Sequence, residues 1–225
     1  MRIIYLHGFI SSPDSTKAKL FSQRLNDLGV DLIVPDLNHP SFTDLTISRV
    51  IETVEKHLPE GDSGAIIGSS MGGWAAALFA RLHPERVKAM VLMAPAFNMV
   101  DLLVERFGPD QIEAWRREGV IPIDHAAYGN VQHLGHGFLE DARRWATRPF
   151  EPLCPTLILH GRRDEDVPIR LSEELAERCR NVELVAYDAG HRLDEVVDDV
   201  LERGVSFLTR DRGVDSSPDE GERST

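Results

Sequence analysis

The sequence predicts an α/β domain: a six-stranded, mainly parallel sheet with helices on both faces and a helical insertion between the fourth and fifth strands. Three observations predict it. Short apolar runs that end in Gly, Asp or Ser alternate with amphipathic stretches of helical period, the pattern of buried parallel strands joined by crossover helices. A Gly-x-Ser-x-Gly pentapeptide sits at one strand-to-helix junction. The rhythm breaks once, for about sixty residues, far longer than an ordinary connection.

The predicted strands are Arg2 to Leu6, Leu32 to Pro35, Ala65 to Ser69, Ala89 to Met93, Thr156 to His160 and Val182 to Ala186. Between the first four lie three helices. Thr16 to Leu28 carries Leu20, Phe21, Leu25 and Leu28 and stops at Gly29, Leu45 to Leu58 stops before Pro59, and Trp74 to His83 stops before Pro84. Such a sheet has right-handed crossovers and binds ligands at the carboxyl ends of its strands, where the strand order reverses.

The insertion, about residues 97–150, reads as a helical lid. Met99 to Phe107 forms one helix, Gly108-Pro109 restarts another that Gly119 ends, and Gly137 to Trp145 forms a third. Its aromatics, with Phe97, Trp115 and Phe138 chosen as substrate-binding candidates, would roof an acyl chain, although aromatics at helical spacing more often pack one element on another. Residues 1–210 are expected to form the single domain. Residues 211–225 are polar and acidic, with too little apolar surface to order themselves.

Composition narrows the function classes. A chain of 225 residues with 42% hydrophobic and 28% charged residues can bury one sizeable core. A formal charge of −12 repels phosphate backbones and anionic lipid heads, which argues against nucleic-acid partners and stable membrane association. Nothing approaches the ~20 apolar residues of a membrane span. The N-terminus enters the first strand without a signal-type apolar run or a mitochondrial leader, so the expected location is the cytoplasm. Cys154 and Cys179 read as buried thiols.

The pentapeptide Gly68-Ser69-Ser70-Met71-Gly72 lies between Ala65-Ile66-Ile67 and the helix opening at Trp74, a tight turn that lifts the Ser70 hydroxyl clear of the sheet edge. A serine hydroxyl needs a general base and a carboxylate to hold that base in the right tautomer. Of nine histidines, His191 alone follows the last strand and precedes the final helix, on the same edge as Ser70. The carboxylate belongs in the loop His160-Gly161-Arg162-Arg163-Asp164-Glu165-Asp166-Val167-Pro168, where Asp164 is favoured and Asp166 competes. Acyl transfer also needs two N–H donors for the developing oxyanion. The candidates are the backbone amides of Met71, at the helix start, and Phe9, in His7-Gly8-Phe9 after the first strand, with His7 bracing that loop.

On Leu6-His7-Gly8-Phe9, Gly68 to Trp74, His160 to Pro168 and Gly190-His191-Arg192, the chain resembles an α/β-hydrolase of the abhydrolase type over residues 1 to about 209. The order Ser, Asp, His along the chain is the order of that fold. Two groups are nearest in motif. Small bacterial esterases of unassigned substrate share Leu6 to Pro13 and Ser15 to Ala18; mitochondrial acyl-protein thioesterases that are also acyl-glucuronide esterases share Gly68 to Trp74, Cys154-Pro155 and His191-Arg192. The resemblance implies a minimal version of the fold, lacking the first two strands of larger relatives. It also implies a Ser70–Asp164–His191 triad acting without a cofactor on a small-molecule or acyl-protein ester or thioester. The competing reading is a non-catalytic relative that binds a small ligand under its lid, and peptidase or perhydrolase chemistry would use the same triad. No metal is expected, because His133 with His136 and Glu165 with Asp166 belong to neither a His-Glu-x-x-His helix nor a calcium loop.

Overall fold

A computed structural model of the chain describes residues 2–146 and 150–210. The acidic segment expected to fray, residues 211–225, lies outside them, as do residues 147–149 of the insertion. In chain order the elements are β1 (Arg2–Leu6), α1 (Thr16–Asn26), β2 (Leu32–Ile33), α2 (Ile47–His57), β3 (Gly64–Ser69), α3 (Met71–Leu82) and β4 (Val87–Met93). Then follow α4 (Met99–Glu118), β5 (Val120–His125), β6 (Asn130–Gly135), α5 (Gly137–Ala146), β7 (Thr156–Gly161), α6 (Arg170–Arg178), β8 (Val182–Tyr187) and α7 (Val197–Thr209).

Six strands form one parallel sheet in the order β2-β1-β3-β4-β7-β8. The apolar runs read as continuous because both faces are covered. Along the strands, Ile4, Leu6, Ile66, Met90, Leu92 and Ile158 join a core with α2, α3 and α6, while Ile3, Tyr5, Ala65, Ile67, Val91, Leu157 and Leu159 join one with α1 and α7. Strict alternation therefore feeds two cores at once. The chain leaves β1 for β2 on one side and returns as β3 on the other, so the crevice between the β1 and β3 ends is the switch point where such sheets bind ligands. The segments Gly8-Phe9 and Ser70-Met71 emerge there.

The expected helix restart is a kink inside α4, where Gly108 takes φ 69° ahead of Pro109, and Gly119 caps the helix at φ 80°. The insertion is not wholly helical, however. Residues 120–135 form an antiparallel hairpin, β5 against β6, turned at Gly129 with φ 66°. Alternate burial of Ile121, Ile123 and His125 gives β5 the period of a half-covered strand. The insertion is fastened at several points: Asp141 accepts from the Ser48 amide at 2.8 Å and hydroxyl at 2.6 Å, and Thr43 Oγ1 donates to the His133 carbonyl at 2.8 Å.

Candidate functional site

Ser70 joins β3 to α3 at φ 52° and ψ −116°, a conformation that costs a non-glycine residue about 1–3 kcal/mol. The surrounding hydrogen bonds hold it there. The Ser70 amide donates to the Met93 carbonyl at 2.9 Å, and its carbonyl accepts from Gly73, Trp74 and Ala96 at 3.0–3.1 Å. The turn also needs α3 to run hard against β1: a Cβ on Gly72 would overlap the Leu6 carbonyl oxygen and lie 2.7 Å from that of His7. Only a residue without a side chain permits that approach.

The loop after β1 is braced from beneath by His7, whose side chain is fully buried. Its Nε2 accepts from the Leu37 amide at 3.1 Å, which leaves the proton on Nδ1 to donate to the Gly8 carbonyl at 2.9 Å. Burial holds its pKa below the usual imidazole value. Gly8 lies over Ser70, where an added Cβ would meet the Ser70 Cβ at 3.6 Å. Among the described residues the Phe9 amide donates to no other group. The Met71 amide, first in α3, has no acceptor within its helix. The two amides expected as oxyanion donors thus belong to the residues that follow Gly8 and Ser70, and neither donates in the backbone hydrogen bonds of those loops.

His191 Nδ1 lies 2.8 Å from Asp164 Oδ2, so the structure pairs it with Asp164 and not with Asp166. Asp166 instead presents its amide to Asp164 Oδ1 at 3.0 Å, beside that of Val167 at 2.7 Å. Burial raises the pKa of the Asp164 carboxyl, but His160, His191 and the Val167 amide outweigh burial and hold it well below the usual carboxylate range. The loop bearing His191 is pressed onto the end of β7. A Cβ on Gly161 would overlap the Ala189 carbonyl oxygen, and the Arg163 amide donates to that oxygen at 3.0 Å.

His160 completes this cluster, and sequence reasoning did not single it out. Fully buried, it places Nε2 2.9 Å from the Val167 carbonyl and 3.2 Å from Asp164 Oδ2, with Nδ1 2.8 Å from Ser172 Oγ. With Nε2 protonated and Nδ1 accepting from Ser172, it buttresses Asp164 from the side away from His191. The signal was present: His160-Gly161 ends β7 as His7-Gly8 follows β1, and a histidine closing an apolar strand has no route to solvent.

Ser70 and His191 line one cleft of about 1040 Å³. No hydrogen bond joins the two side chains. The hydrophobic lining differs from expectation. Met99, Leu102 and Leu103 of α4, with Val167 and Pro168, face the cleft, whereas Phe97, Trp115 and Phe138 do not. Their surfaces are spent on packing: Phe138 lies beneath Phe9 with ring centroids 5.3 Å apart, Phe97 packs on Phe150 at 5.7 Å, and buried Trp115 donates Nε1–H to the Leu134 carbonyl at 2.9 Å. Asp164, Asp166 and His191 bring potential metal-ligand atoms within 4.8 Å of one another, but both Asp164 oxygens already accept hydrogen bonds.

A parallel sheet that presents a serine at a positive-φ turn after its third strand, with an aspartate and a histidine after its last two, is an α/β-hydrolase fold. Solved structures agree. A protein of Agrobacterium vitis S4 superposes with TM-score 0.78 at 28% identity, covering 92% of this chain and 87% of its own. Alpha/beta hydrolase domain-containing protein 10 from mouse gives TM-score 0.75 at 21% identity, with 92% and 89% covered. In sequence, the mitochondrial palmitoyl-protein thioesterase ABHD10 of Bos taurus is 27% identical over 213 residues, 87% of this chain and 68% of that protein. Within this fold the chain belongs to UPF0227, an uncharacterised protein family whose pattern it matches over residues 2–209.

Proposed function

We propose that the protein is a cofactor-independent serine hydrolase that cleaves carboxylic esters or thioesters through an acyl-enzyme. The observation that carries this reading is the His191–Asp164 hydrogen bond on the cleft that Ser70 also lines. Asp164 accepts a hydrogen bond from His191 Nδ1–H, which keeps the ring proton on Nδ1 and leaves the Nε2 lone pair to receive the Ser70 proton. Ser70 then attacks the acyl carbon, and the amides of Phe9 and Met71 hold the oxygen that becomes negative, each worth ~2.7–4 kcal/mol in comparable sites. His191 returns the proton to the departing alcohol or thiol, and water repeats the sequence to release the acid. The apolar side of the cleft at Met99, Leu102 and Leu103 suits the hydrocarbon of an acyl group, and the thioesterase relative supports acyl thioesters as substrates alongside esters.

A fluorophosphonate probe tests the reading. One adduct on the wild type and none on folded Ser70→Ala is the expected result; a folded wild type that acquires no adduct and turns over neither p-nitrophenyl esters nor acyl-thioesters would overturn it. That negative outcome, with saturable binding of a small ligand, would identify a non-catalytic relative instead.

A further inference from the structure

We propose that the cleft wall formed by the end of β1, the loop that follows it and the first turn of α1 is a leaving-group subsite, and that it selects an uncharged, hydroxyl-bearing alcohol or thiol. This rests on the hydrolase reading above. The cleft is two-sided. Met99, Leu102 and Leu103 of α4 line it with hydrocarbon ahead of Glu105 and Arg106, while past Phe9 and Ile10 the β1 loop and the start of α1 bring Ser12, Ser15, Thr16 and Lys17, with Tyr5 and Ser69 at the strand ends.

Lys17 fixes which side receives the leaving group. Its ammonium donates to the Arg192 carbonyl at 2.6 Å, reaching the residue next to His191 from the far end of the chain. The polar wall therefore abuts the histidine that must protonate the departing oxygen or sulfur, and the acyl chain is left the hydrocarbon side. An ammonium has three protons; Arg192 takes one, and no other acceptor among the described residues takes the rest. Tyr5 adds a buried phenol, kept protonated by burial, whose hydroxyl reaches those of Ser15 and Ser69.

The charged groups lining the cleft carry no net positive charge, five carboxylates standing against Lys17, Arg106 and Arg192. Arg192 pairs with Asp194 at 3.0 Å, Asp14 with Lys19 at 3.1 Å, and Lys17 is itself faced by both Asp194 and Arg192. Glu165 and Asp166 also line the cleft. An anionic leaving group meets no net positive field, whereas hydroxyls find donors and acceptors together.

The test compares kcat/KM for 1-octanoylglycerol, ethyl octanoate and the octanoyl ester of glycolate, which share an acyl chain and differ in the leaving group. Wild type is expected to prefer the glycerol ester over the ethyl ester by about tenfold or more, since a site built to hydrogen-bond a substrate hydroxyl discriminates against analogues that lack it. The glycolate ester should do no better than the ethyl ester. In Lys17→Met and in Tyr5→Phe, which deletes one hydroxyl and nothing else, the glycerol-to-ethyl ratio should fall toward one. A wild-type ratio near one, a preference for the glycolate ester, or variants that slow both neutral esters by the same factor would overturn the subsite. Absence of turnover on all three, with no fluorophosphonate adduct, would instead overturn the hydrolase reading on which it rests.

Discussion

Replacing Asp164 by Asn tests the proton relay at a single atom. Asp164 Oδ1 accepts from the amides of Val167 and Asp166 at 2.7 and 3.0 Å, while Oδ2 faces His191 Nδ1 at 2.8 Å and His160 Nε2 at 3.2 Å. An Asn of the same shape must keep its oxygen on the two amides, because the reverse orientation sets NH2 against two N–H groups. Its NH2 then meets His191, whose Nδ1 can only answer as an acceptor, while the His160 Nε2 proton stays on the Val167 carbonyl at 2.9 Å. The ring proton moves to Nε2, the nitrogen that must be empty to receive the proton of Ser70. The corresponding change in a serine protease triad lowers kcat by ~10⁴, about 5.5 kcal/mol at 1.36 kcal/mol per factor of ten. The expected result on p-nitrophenyl butyrate is a fall in kcat of about 10³–10⁴. Fluorophosphonate labelling should slow in step, KM should change little, and far-UV circular dichroism should be unaltered. A folded Asp164→Asn protein with kcat within about tenfold of wild type would refute the tautomer reasoning.

Three further predictions concern the frame around that relay. Ser70→Gly removes the cost of φ 52° while Ser70→Ala keeps it, so the glycine variant should melt higher by roughly 2–4 °C for each kcal/mol of strain released; equal melting temperatures would deny the strain. Gly72→Ala drives a methyl group into the Leu6 and His7 carbonyls and should cost about 3 kcal/mol, near the upper end for overpacking, measured as a lower urea midpoint. His125 is buried, and burial lowers its pKa below 6.5 against the opposing pull of its own backbone carbonyl and of Asp36. The unfolded chain therefore takes up the proton first, and the stability His125 supplies, complete above pH 6.5, is lost as pH falls toward its lower folded value. Urea midpoints at pH 7.5 and 5.5 should fall less in His125→Phe than in wild type; identical falls would show that His125 is not the group responsible.

How much of this was legible follows from which forces act locally. The inner strands β1, β3, β4 and β7 could be read because burial on both faces gives each an apolar run, the half-buried edge strands β2 and β8 offered shorter ones, and the Ser70 turn could be read because only glycine fits at Gly72. The hairpin β5–β6 could not, since Pro122 interrupts the alternation of Ile121, Ile123 and His125 inside a segment flanked by strong helical patterns. The cleft lining was hidden for a different reason. Whether Leu102 or Phe97 faces Ser70 depends on how the insertion docks, and contacts such as Ser48–Asp141 join residues 93 positions apart.

The histidines show most clearly what the sequence withholds. His7 and His160 resemble His191 in the sequence: each stands beside a glycine just past or at the end of a strand. Folding separates them by the number of ring nitrogens it consumes. His7 has both engaged, by Gly8 and Leu37, and so has His160, by Ser172 and by Val167 with Asp164; both side chains are wholly buried. Neither keeps a ring nitrogen for a substrate. His191 commits Nδ1 alone, to Asp164, and keeps 21% of its side chain exposed on the cleft, with Nε2 in reserve. A base must be held on one side and free on the other, and of these three histidines His191 alone meets that condition.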